Sequence, residues 1–340
     1  MLARAMSQVV ARLSRIALGG AAETVMRKRE LQRLWSLVER LTRAQRQELV
    51  DKLKGQAALA ESIELVELAS SAPRSCPRCN GERVVRNGMA DGLQRYKCRG
   101  CGRSFNALTG TSLARLRHKD KWLEQTRALA DGLTVHRAAK ALSVAPSTAF
   151  RWRHRFLAAP RSVKPGMLAG VAELDETYFL ESFKGQRSLP RRPRQRGGRA
   201  AKRGLSKEQI PVLVARDRSG ATTDYVLADA RKSAVKAILQ PLLPADVVVC
   251  SDGAGAIGQA MRELGLEHHA VLSSSGRHAI GAWHIQNVNA YHSRLKTWMR
   301  RFNGVATSHL ENYLGWFRAL ERSLRAPSQP AQLLALALGR

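Results

Sequence analysis

The chain has 340 residues, of which 44% are hydrophobic, so it is long enough for two or three domains with substantial cores. This excludes a disordered tail protein and a disulfide-stapled miniprotein, and no apolar run reaches the ~18 residues that a membrane span requires. Lys and Arg number 57 against 27 Asp and Glu, a formal net charge of +30. Such an excess is self-repulsive in a compact fold unless a polyanion neutralises it, so nucleic acid is the first expected partner and anionic lipid the second.

Residues 1–22 contain arginines but no acidic residue, a composition found both in organellar transit peptides and in basic amphipathic helices. We favour the helix. The chain has five cysteines and no recognisable secretory signal, which indicates a reducing compartment. Residues 1–72 are predicted to form a helical N-terminal region. The apolar stripe of its first clear helix consists of Leu31, Leu34, Trp35, Val38 and Leu41.

Two further helices are predicted in this region. Thr42 and Gln45 have the spacing of a capping box, which predicts a second helix that ends near Gly55. Residues 57–69 alternate apolar and acidic side chains and predict a third helix. Residues 70–73 interrupt this pattern, so we place the first domain boundary after residue 72.

Two Cys-x-x-Cys pairs stand within residues 73–116, separated by residues 80–97. Two thiolates on a tight turn can bind one ion, and two such turns complete a tetrahedral site, so we predict a zinc ribbon with structural Zn²⁺. Two disulfides or a redox dithiol are the alternatives. The reducing compartment argues against disulfides, and a redox site needs only one pair. The predicted zinc ligands are Cys76, Cys79, Cys98 and Cys101.

Residues 117–160 are predicted to contain a helix-turn-helix. Thr134 starts a short helix, residues 143–145 form the turn, and Pro146 opens a basic second helix, where a missing N–H costs least. An ordinary helical hairpin with a solvated basic face has the same pattern, but the net charge of the chain favours DNA binding in the major groove. The second helix carries the basic residue Arg153. The DNA contacts predicted for this helix are Ser147, Thr148, Arg151 and Arg155.

Residues 161–325 alternate apolar strands and helices, the pattern of an α/β domain. The predicted order is three strands, helix, strand, helix, strand and a long final helix, which is the order of a ribonuclease-H-like fold. Asp175 lies in the first strand, and Asp252 follows the fourth, in which Cys250 is predicted to be buried. A single aspartate after a strand is more often a helix cap or loop residue. Two of them at the ends of central strands are what two-metal phosphoryl transfer requires.

These blocks together resemble the insertion-sequence transposases of the DDE superfamily, and within it the ISXO-like branch that carries a zinc ribbon. The resemblance spans residues 74–322 and rests on the order of several motifs rather than on any one of them. The motifs are the two cysteine pairs, Leu174-Asp-Glu-Thr-Tyr-Phe, Cys250-Ser-Asp-Gly, the segment from His284 to Lys296, Trp298-Met-Arg-Arg-Phe-Asn-Gly and Leu310-Glu-Asn-Tyr-Leu-Gly-Trp-Phe-Arg.

The resemblance implies a catalytic site of the Asp-Asp-Asn-Lys variant, in which Asp175, Asp252 and Asn289 bind catalytic Mg²⁺ or Mn²⁺. Asn289 stands where most of the superfamily has Glu, and a neutral amide oxygen holds a cation less firmly than a carboxylate does. Lys296 follows about two helical turns later, on the same helix face, and is expected to contact DNA or to stabilise phosphate charge; a surface lysine is the alternative. Two weaker candidates are His284, which would position an attacking group, and Glu176, a supporting carboxylate.

A basic insertion, defined as residues 184–207, separates the first two strands of this domain. It contains no acidic residue and is longer than the ~12–15 residues that compact domains usually leave without secondary structure. We expect it to be mobile alone and to become ordered on phosphates. A solvated linker is the alternative, and it does not explain the absence of acids. The predicted DNA contacts of the insertion are Arg191, Arg192, Arg194, Arg196, Arg199, Lys202 and Arg203.

The sequence therefore predicts a multidomain α+β protein with a C-terminal tail at residues 326–340 and the activity of a transposase. It would bind the terminal inverted repeats of double-stranded DNA and catalyse metal-dependent cleavage and strand transfer. The resemblance also implies a homodimer or higher oligomer on DNA, and a bacterial cytoplasmic protein associated with the nucleoid. Two other hypotheses stay open: a DNA-binding regulator on an inactive transposase scaffold, which Asn289 favours, and a basic RNA-binding protein.

Overall fold

The computed structural model describes residues 26–70, 75–195, 197–198, 200–201, 206–228, 231–253, 255–272, 279–323 and 330–339. The predictions for residues 1–22 and for Arg196, Arg199, Lys202 and Arg203 lie outside these ranges. The chain divides into two compact units, Met1–Ala159 with Ser328–Arg340, and Pro160–Pro327. None of the described helices is both long enough and apolar enough to cross a membrane.

The first unit opens with helices α1 (Lys28–Glu39) and α2 (Arg43–Ala69). The capping box predicted at the start of α2 is present, because Thr42 Oγ1 accepts the Gln45 N–H and the Gln45 side chain accepts the Thr42 N–H. The helix end predicted near Gly55 is wrong, since α2 continues through this residue. One interior glycine costs only about 1 kcal/mol relative to alanine, and the buried Val66 beyond it anchors the helix by packing.

Three short strands follow, β1 (Val84–Ala90), β2 (Leu93–Cys98) and β3 (Ser104–Phe105), and they pair antiparallel in that order. Three helices come next, α3 (Trp122–Ala130), α4 (Val135–Ala141) and α5 (Pro146–Leu157). The turn between α4 and α5 includes Ser143 at a φ of 49°, and Pro146 starts α5 as predicted. Trp122 and Phe156, both completely buried, pack edge to face between α3 and α5.

The last residues of the chain belong to this first unit as well. Residues 326–340 were expected to be a tail, but they include helix α10 (Pro330–Ala337), which packs against α2 and α3. Leu334 and Ala337 are buried there, and the Ala337 carbonyl accepts a hydrogen bond from Ser112 Oγ. The helix therefore completes the hydrophobic core of the first unit rather than trailing from the second.

The second unit is built on one mixed sheet of five strands. These are β4 (Val171–Leu180), β5 (Gln209–Asp217), β6 (Thr222–Val226), β7 (Val248–Ser251) and β8 (His268–Ala270), in the spatial order β6-β5-β4-β7-β8. The first three strands pair antiparallel, whereas β7 runs parallel to both β4 and β8. Helices α6 (Lys232–Leu239) and α7 (Gly255–Leu264) make the connections before and after β7.

The two faces of strand β4 meet different helices. Ala172 and Leu174 join the hydrophobic core formed with α6 and α7, whereas Glu173 and Asp175 point to the opposite face, as alternation along a strand requires. Helix α8 (Gln286–Arg300) covers that opposite face, after a small hairpin of β9 (Ala279–Ile280) and β10 (Trp283–His284). An aromatic cluster around Trp298 and Trp316 then packs α8 against helix α9 (Leu310–Ser323).

Candidate active site

Asp175 and Asp252 lie at the same level of the sheet, although only Asp252 stands at a strand end as expected, because β4 continues to Leu180. Strand β4 pairs in parallel with β7, and Leu174 lies opposite Ser251. Asp175 directly follows Leu174, and Asp252 directly follows Ser251. Neighbouring strands lie about 4.8 Å apart. Strand pairing therefore brings side by side two carboxylates that are far apart in the sequence.

Helix α8 carries Asn289 and Lys296 on either side of a histidine that contacts Asp175. The ring of His292 is buried, and its Nδ1 lies 3.4 Å from Asp175 Oδ2. Asn289 precedes His292 by one turn and Lys296 follows it by one turn, so the three side chains share one stripe of the helix. The side chains of Asn289 and Lys296 are exposed. This stripe contacts the carboxylates through His292, which lies against Asp175.

Glu176 and Tyr178 respond to both aspartates. Burial and, after it, the charges of Asp175 and Asp252 raise the pKa of the Glu176 carboxyl to about 7. Burial also raises the pKa of Tyr178, with further contributions from Glu176, Asp175 and Asp252. Carboxylate oxygens are the ligands that a hard divalent cation prefers, so the chemistry of these side chains suits Mg²⁺ or Mn²⁺.

Gly253 allows the chain to turn directly after Asp252. Its φ is 84°, which an L side chain rarely adopts, and its N–H donates to Ser251 Oγ over 3.1 Å. The same hydroxyl lies 2.9 Å from His268 Nε2 in the neighbouring strand β8. The backbone that carries Asp252 is therefore fixed on both sides, by the strand before it and by this turn after it.

One carboxylate of this region has no counterpart among the sequence predictions. Glu173 is completely buried in β4, and it accepts hydrogen bonds at the start of α8 from the Asn287 N–H, the Asn287 side-chain amide and the Val288 N–H. His284 Nδ1 lies 3.2 Å from Glu173 Oε1, so the residue considered for positioning an attacking group stands beside Glu173 instead. The available signal was an acid between two apolar residues of a buried strand, since such an acid must find donors.

The four predicted zinc ligands converge. The Sγ atoms of Cys76, Cys79, Cys98 and Cys101 lie within 4.8 Å of one another, with Cys76 to Cys101 and Cys79 to Cys98 at 3.6 Å. In the described part of the chain this is the one group of three or more Cys, His, Asp or Glu side chains that comes so close together. Tetrahedral Zn–S bonds of about 2.3 Å place the sulfurs about 3.8 Å apart, so the thiolates fit one zinc ion.

The thiols of this cluster shift in opposite directions. The backbone N–H of Cys101 lowers the pKa of Cys98, whereas the pKa of Cys79 is raised to about 11, because the lowering effect of the Gly81 N–H is outweighed by the side chains of the other three cysteines. The backbone N–H of Arg78 lowers the pKa of Cys76 to about 7, even though burial opposes it. Metal binding requires the deprotonated form, so a lowered pKa assists it. Cys250 lies elsewhere, buried in β7 as predicted, where burial raises the pKa of its thiol.

The polar and basic residues of α5 fall into two groups, those exposed to solvent and those bonded to backbone carbonyls. Ser147 and Arg151 are exposed and Thr148 is partly exposed, as a DNA-contacting face requires. Arg153 instead points inward, is almost fully buried and donates to the Leu133 carbonyl. Arg155 is exposed, yet its guanidinium donates to the carbonyls of residues 112 and 114, the second bond being 2.7 Å long.

The described part of the basic insertion is held against the second unit. Arg194 Nη2 lies 2.8 Å from Glu208 Oε1, and Arg191 Nε lies 3.7 Å from Glu181 Oε2. Arg192 is exposed. The insertion, the end of β4 and the end of α8 enclose a cavity of about 950 Å³, which Lys296 also lines. Acids that flank the insertion therefore pair with two of its arginines.

Comparison with known proteins finds a family match in each unit. Residues 167–318 match the ISXO2-like transposase domain, and residues 119–161 match a homeodomain-like helix-turn-helix domain. An uncharacterised protein of the transposable element ISH50 from Halobacterium salinarum is 28% identical over 264 residues, which cover 75% of this chain and 88% of that protein. The crystal structure of a pre-cleavage Mos1 transpososome aligns with this chain at 14% identity and a TM-score of 0.22. The alignment covers 64% of this chain and 78% of the Mos1 chain.

Proposed function

We propose that this chain, which carries an ISXO2-like transposase domain over residues 167–318, is the transposase of an insertion sequence. It binds the terminal inverted repeats of the element and catalyses cleavage of DNA and transfer of the cut strand. One observation carries the proposal: Asp175 and Asp252 meet on neighbouring parallel strands, beside the helix that presents Asn289 and Lys296.

We assign a ribonuclease-H-like fold to the catalytic domain, on the basis of its sheet. Three antiparallel strands are followed by two that run parallel to the first of them, in the order β6-β5-β4-β7-β8. The carboxyl end of β7 then lies beside the middle of β4, near the centre of the sheet, which is where the fold can gather acidic side chains from distant parts of the chain.

Asp175, Asp252 and Asn289 are the proposed ligands of Mg²⁺ or Mn²⁺. When bound, such ions activate the attacking oxygen and stabilise the leaving oxygen of an in-line displacement at phosphorus. His292 holds Asp175 in place through the contact of 3.4 Å. Lys296 presents an exposed ammonium on the same stripe as Asn289, where it would bind a phosphate next to the scissile bond and offset its charge.

The first unit supplies recognition of DNA. Cys76, Cys79, Cys98 and Cys101 would hold one structural zinc ion and so fix the ribbon, and α5 would lie in the major groove with Ser147, Thr148 and Arg151 toward the DNA. Arg191, Arg192 and Arg194 and the remaining basic residues of the insertion add phosphate contacts. Because two element ends must be joined, we propose a dimer or larger assembly on DNA, at the nucleoid.

The decisive experiment is a strand-transfer assay with DNA of the element ends, taken from the sequences that flank the gene. Asp175→Ala and Asp252→Ala are expected to abolish Mg²⁺- or Mn²⁺-dependent cleavage while DNA binding persists. Asp246→Ala, which removes an exposed acid at the opposite end of β7, is the matched control and is expected to retain activity. Variants of Asp175 and Asp252 that cut as well as the parent would refute the proposed site.

The same assay decides the second candidate function, a DNA-binding regulator on an inactive scaffold. The feature that favours it is Asn289, a neutral ligand in place of the acid that is usual in the superfamily. A parent protein that binds the element ends but cuts with neither metal, while its Asn289→Glu variant does cut, would support the regulator. Cleavage by the parent excludes it.

A further inference from the structure

Glu173 is a buried carboxyl group at a point where strand β4 meets the beginning of helix α8. It is two residues before Asp175 on the same face of the strand, and none of its side chain is exposed. Burying a carboxylate is unfavourable unless its oxygens are hydrogen-bonded. Here Oε2 accepts the N–H groups of Asn287 and Val288 over 2.8 and 3.0 Å, and Oε1 accepts the Asn287 side-chain amide over 2.7 Å.

These donors belong to the first turn of α8. The first N–H groups of a helix have no partner within the helix, and the positive end of the helix dipole lies there. A carboxylate from another element satisfies both needs, but only at one position and rotation of the helix. Glu173 therefore ties the start of α8 to the strand that carries Asp175, rather than capping the helix from its own sequence.

The rotation of α8 matters because Asn289 comes directly after the tied residues Asn287 and Val288. Each residue turns a helix by about 100°. A shift of the helix by one residue would thus direct Asn289 away from Asp175. His292 provides the second tie, one turn further along, by its contact with Asp175 itself.

We propose that Glu173 is a positioning residue, which holds α8 in the rotation that turns Asn289 and Lys296 toward Asp175 and Asp252. The proposal rests on the proposed function, because it gives those four residues their catalytic and metal-binding roles. Glu173 is not proposed as a ligand of metal or DNA, since its oxygens are engaged by α8 and, at Oε1, also face His284 Nδ1.

The test compares Glu173→Leu, which removes every acceptor, with Glu173→Gln, which keeps one oxygen for the backbone N–H groups. The matched control is Asp217→Leu. Asp217 is also a buried acid of the same sheet, but its carboxylate accepts from Ser219 Oγ, Ala221 N and Ala169 N and does not hold α8. Three quantities are measured on the full chain: the melting temperature, hydrogen exchange of amides 286–289, and Mn²⁺ binding without DNA, from the electron paramagnetic resonance signal of free Mn²⁺.

Glu173→Leu is expected to lose exchange protection at amides 286–289 and to bind Mn²⁺ about 10- to 100-fold more weakly, the usual effect of removing a group that orients metal ligands. Glu173→Gln should recover most of both properties. Asp217→Leu should lower the melting temperature but leave Mn²⁺ binding and the protection of these amides unchanged.

Two results would overturn the proposal: Glu173→Leu with the parent's protection and Mn²⁺ affinity, or Asp217→Leu with an equal loss of affinity. If Glu173→Leu does not fold, Glu173→Gln decides, and it must then show a smaller but measurable loss of protection at an unchanged melting temperature. A third result separates the two proposals. If the parent never cuts DNA, but Glu173→Leu still loses exchange protection and Mn²⁺ affinity relative to the parent, the proposed function is refuted and the positioning role of Glu173 stands.

Discussion

Arg318 Nη1 lies 2.5 Å from Asp224 Oδ1, and both side chains are almost completely buried. The remaining nitrogens of Arg318 donate to the carbonyls of Pro160, Arg161 and Val163, which are the first residues of the second unit. Arg318 therefore links α9 to two places: to the edge strand β6 through the ion pair, and to the start of the second unit through these hydrogen bonds.

We predict that Arg318→Met is strongly destabilising, because it leaves Asp224 as a buried charge without a partner. Breaking such a pair from one side typically costs about 3–5 kcal/mol, whereas replacing both members with apolar residues costs far less. Urea unfolding of the parent, Arg318→Met, Asp224→Leu and the double variant measures this. A double variant as unstable as the sum of the two single variants would contradict the account.

The cysteine cluster predicts about one zinc ion per chain by elemental analysis, because four convergent thiolates form a closed site. Cys98→Ser is expected to lower the zinc content and to unfold the ribbon, whose hydrophobic cluster consists mainly of Cys76, Cys98 and Phe105. Cys250→Ser is the control, because this cysteine lies in β7, and it should leave the zinc content unchanged. A parent that is folded and free of metal would refute the site.

Arg151 and Arg155 are predicted to differ, although each substitution by Gln removes one positive charge from the same helix. Arg151→Gln should weaken DNA binding and reduce the slope of log K against log salt by up to about 0.9, the contribution of one phosphate contact. It should leave the melting temperature unchanged, because the side chain is exposed. Arg155→Gln should lower the melting temperature, since it removes donors to the carbonyls of residues 112 and 114. Equal effects of the two variants on both quantities would argue against this division.

Glu263 predicts an acid-sensitive link between α6 and α7. Hydrogen bonds from Lys232 and Lys236 lower the pKa of this carboxyl from its ordinary value of 4.5 to about 2. A lowered pKa in the folded state means that the stabilisation is fully present above pH 4.5 and is lost as the pH falls toward 2. The difference in melting temperature between the parent and Glu263→Gln should therefore shrink over this range. Because the groups are largely exposed, the difference should also shrink at high salt, and a pH-independent difference would contradict the assignment.

Much of the local structure could be predicted from the sequence because periodicity, capping and spacing act over a few residues. The strands and helices from Val171 to Arg300 appear in the predicted order, and so do the two cysteine pairs and the helix-turn-helix. Two differences between the predicted and the observed helices have a common cause. Helix α2 continues through Gly55, and α10 forms in the expected tail, because in both places burial against other elements outweighs weak local signals.

The sequence by itself determined the types and spacing of the candidate residues: four thiols at metal-binding spacing, two aspartates in or directly after strands, and a strongly basic composition. Only the tertiary structure decided their orientation and partners. It placed His292 against Asp175 and the start of α8 against Glu173, and it directed Arg153 and Arg155 to backbone carbonyls. The physical reason is that a side chain's type is a local property, whereas the donors and acceptors within its reach come from elements that are distant in the chain and are brought near by packing.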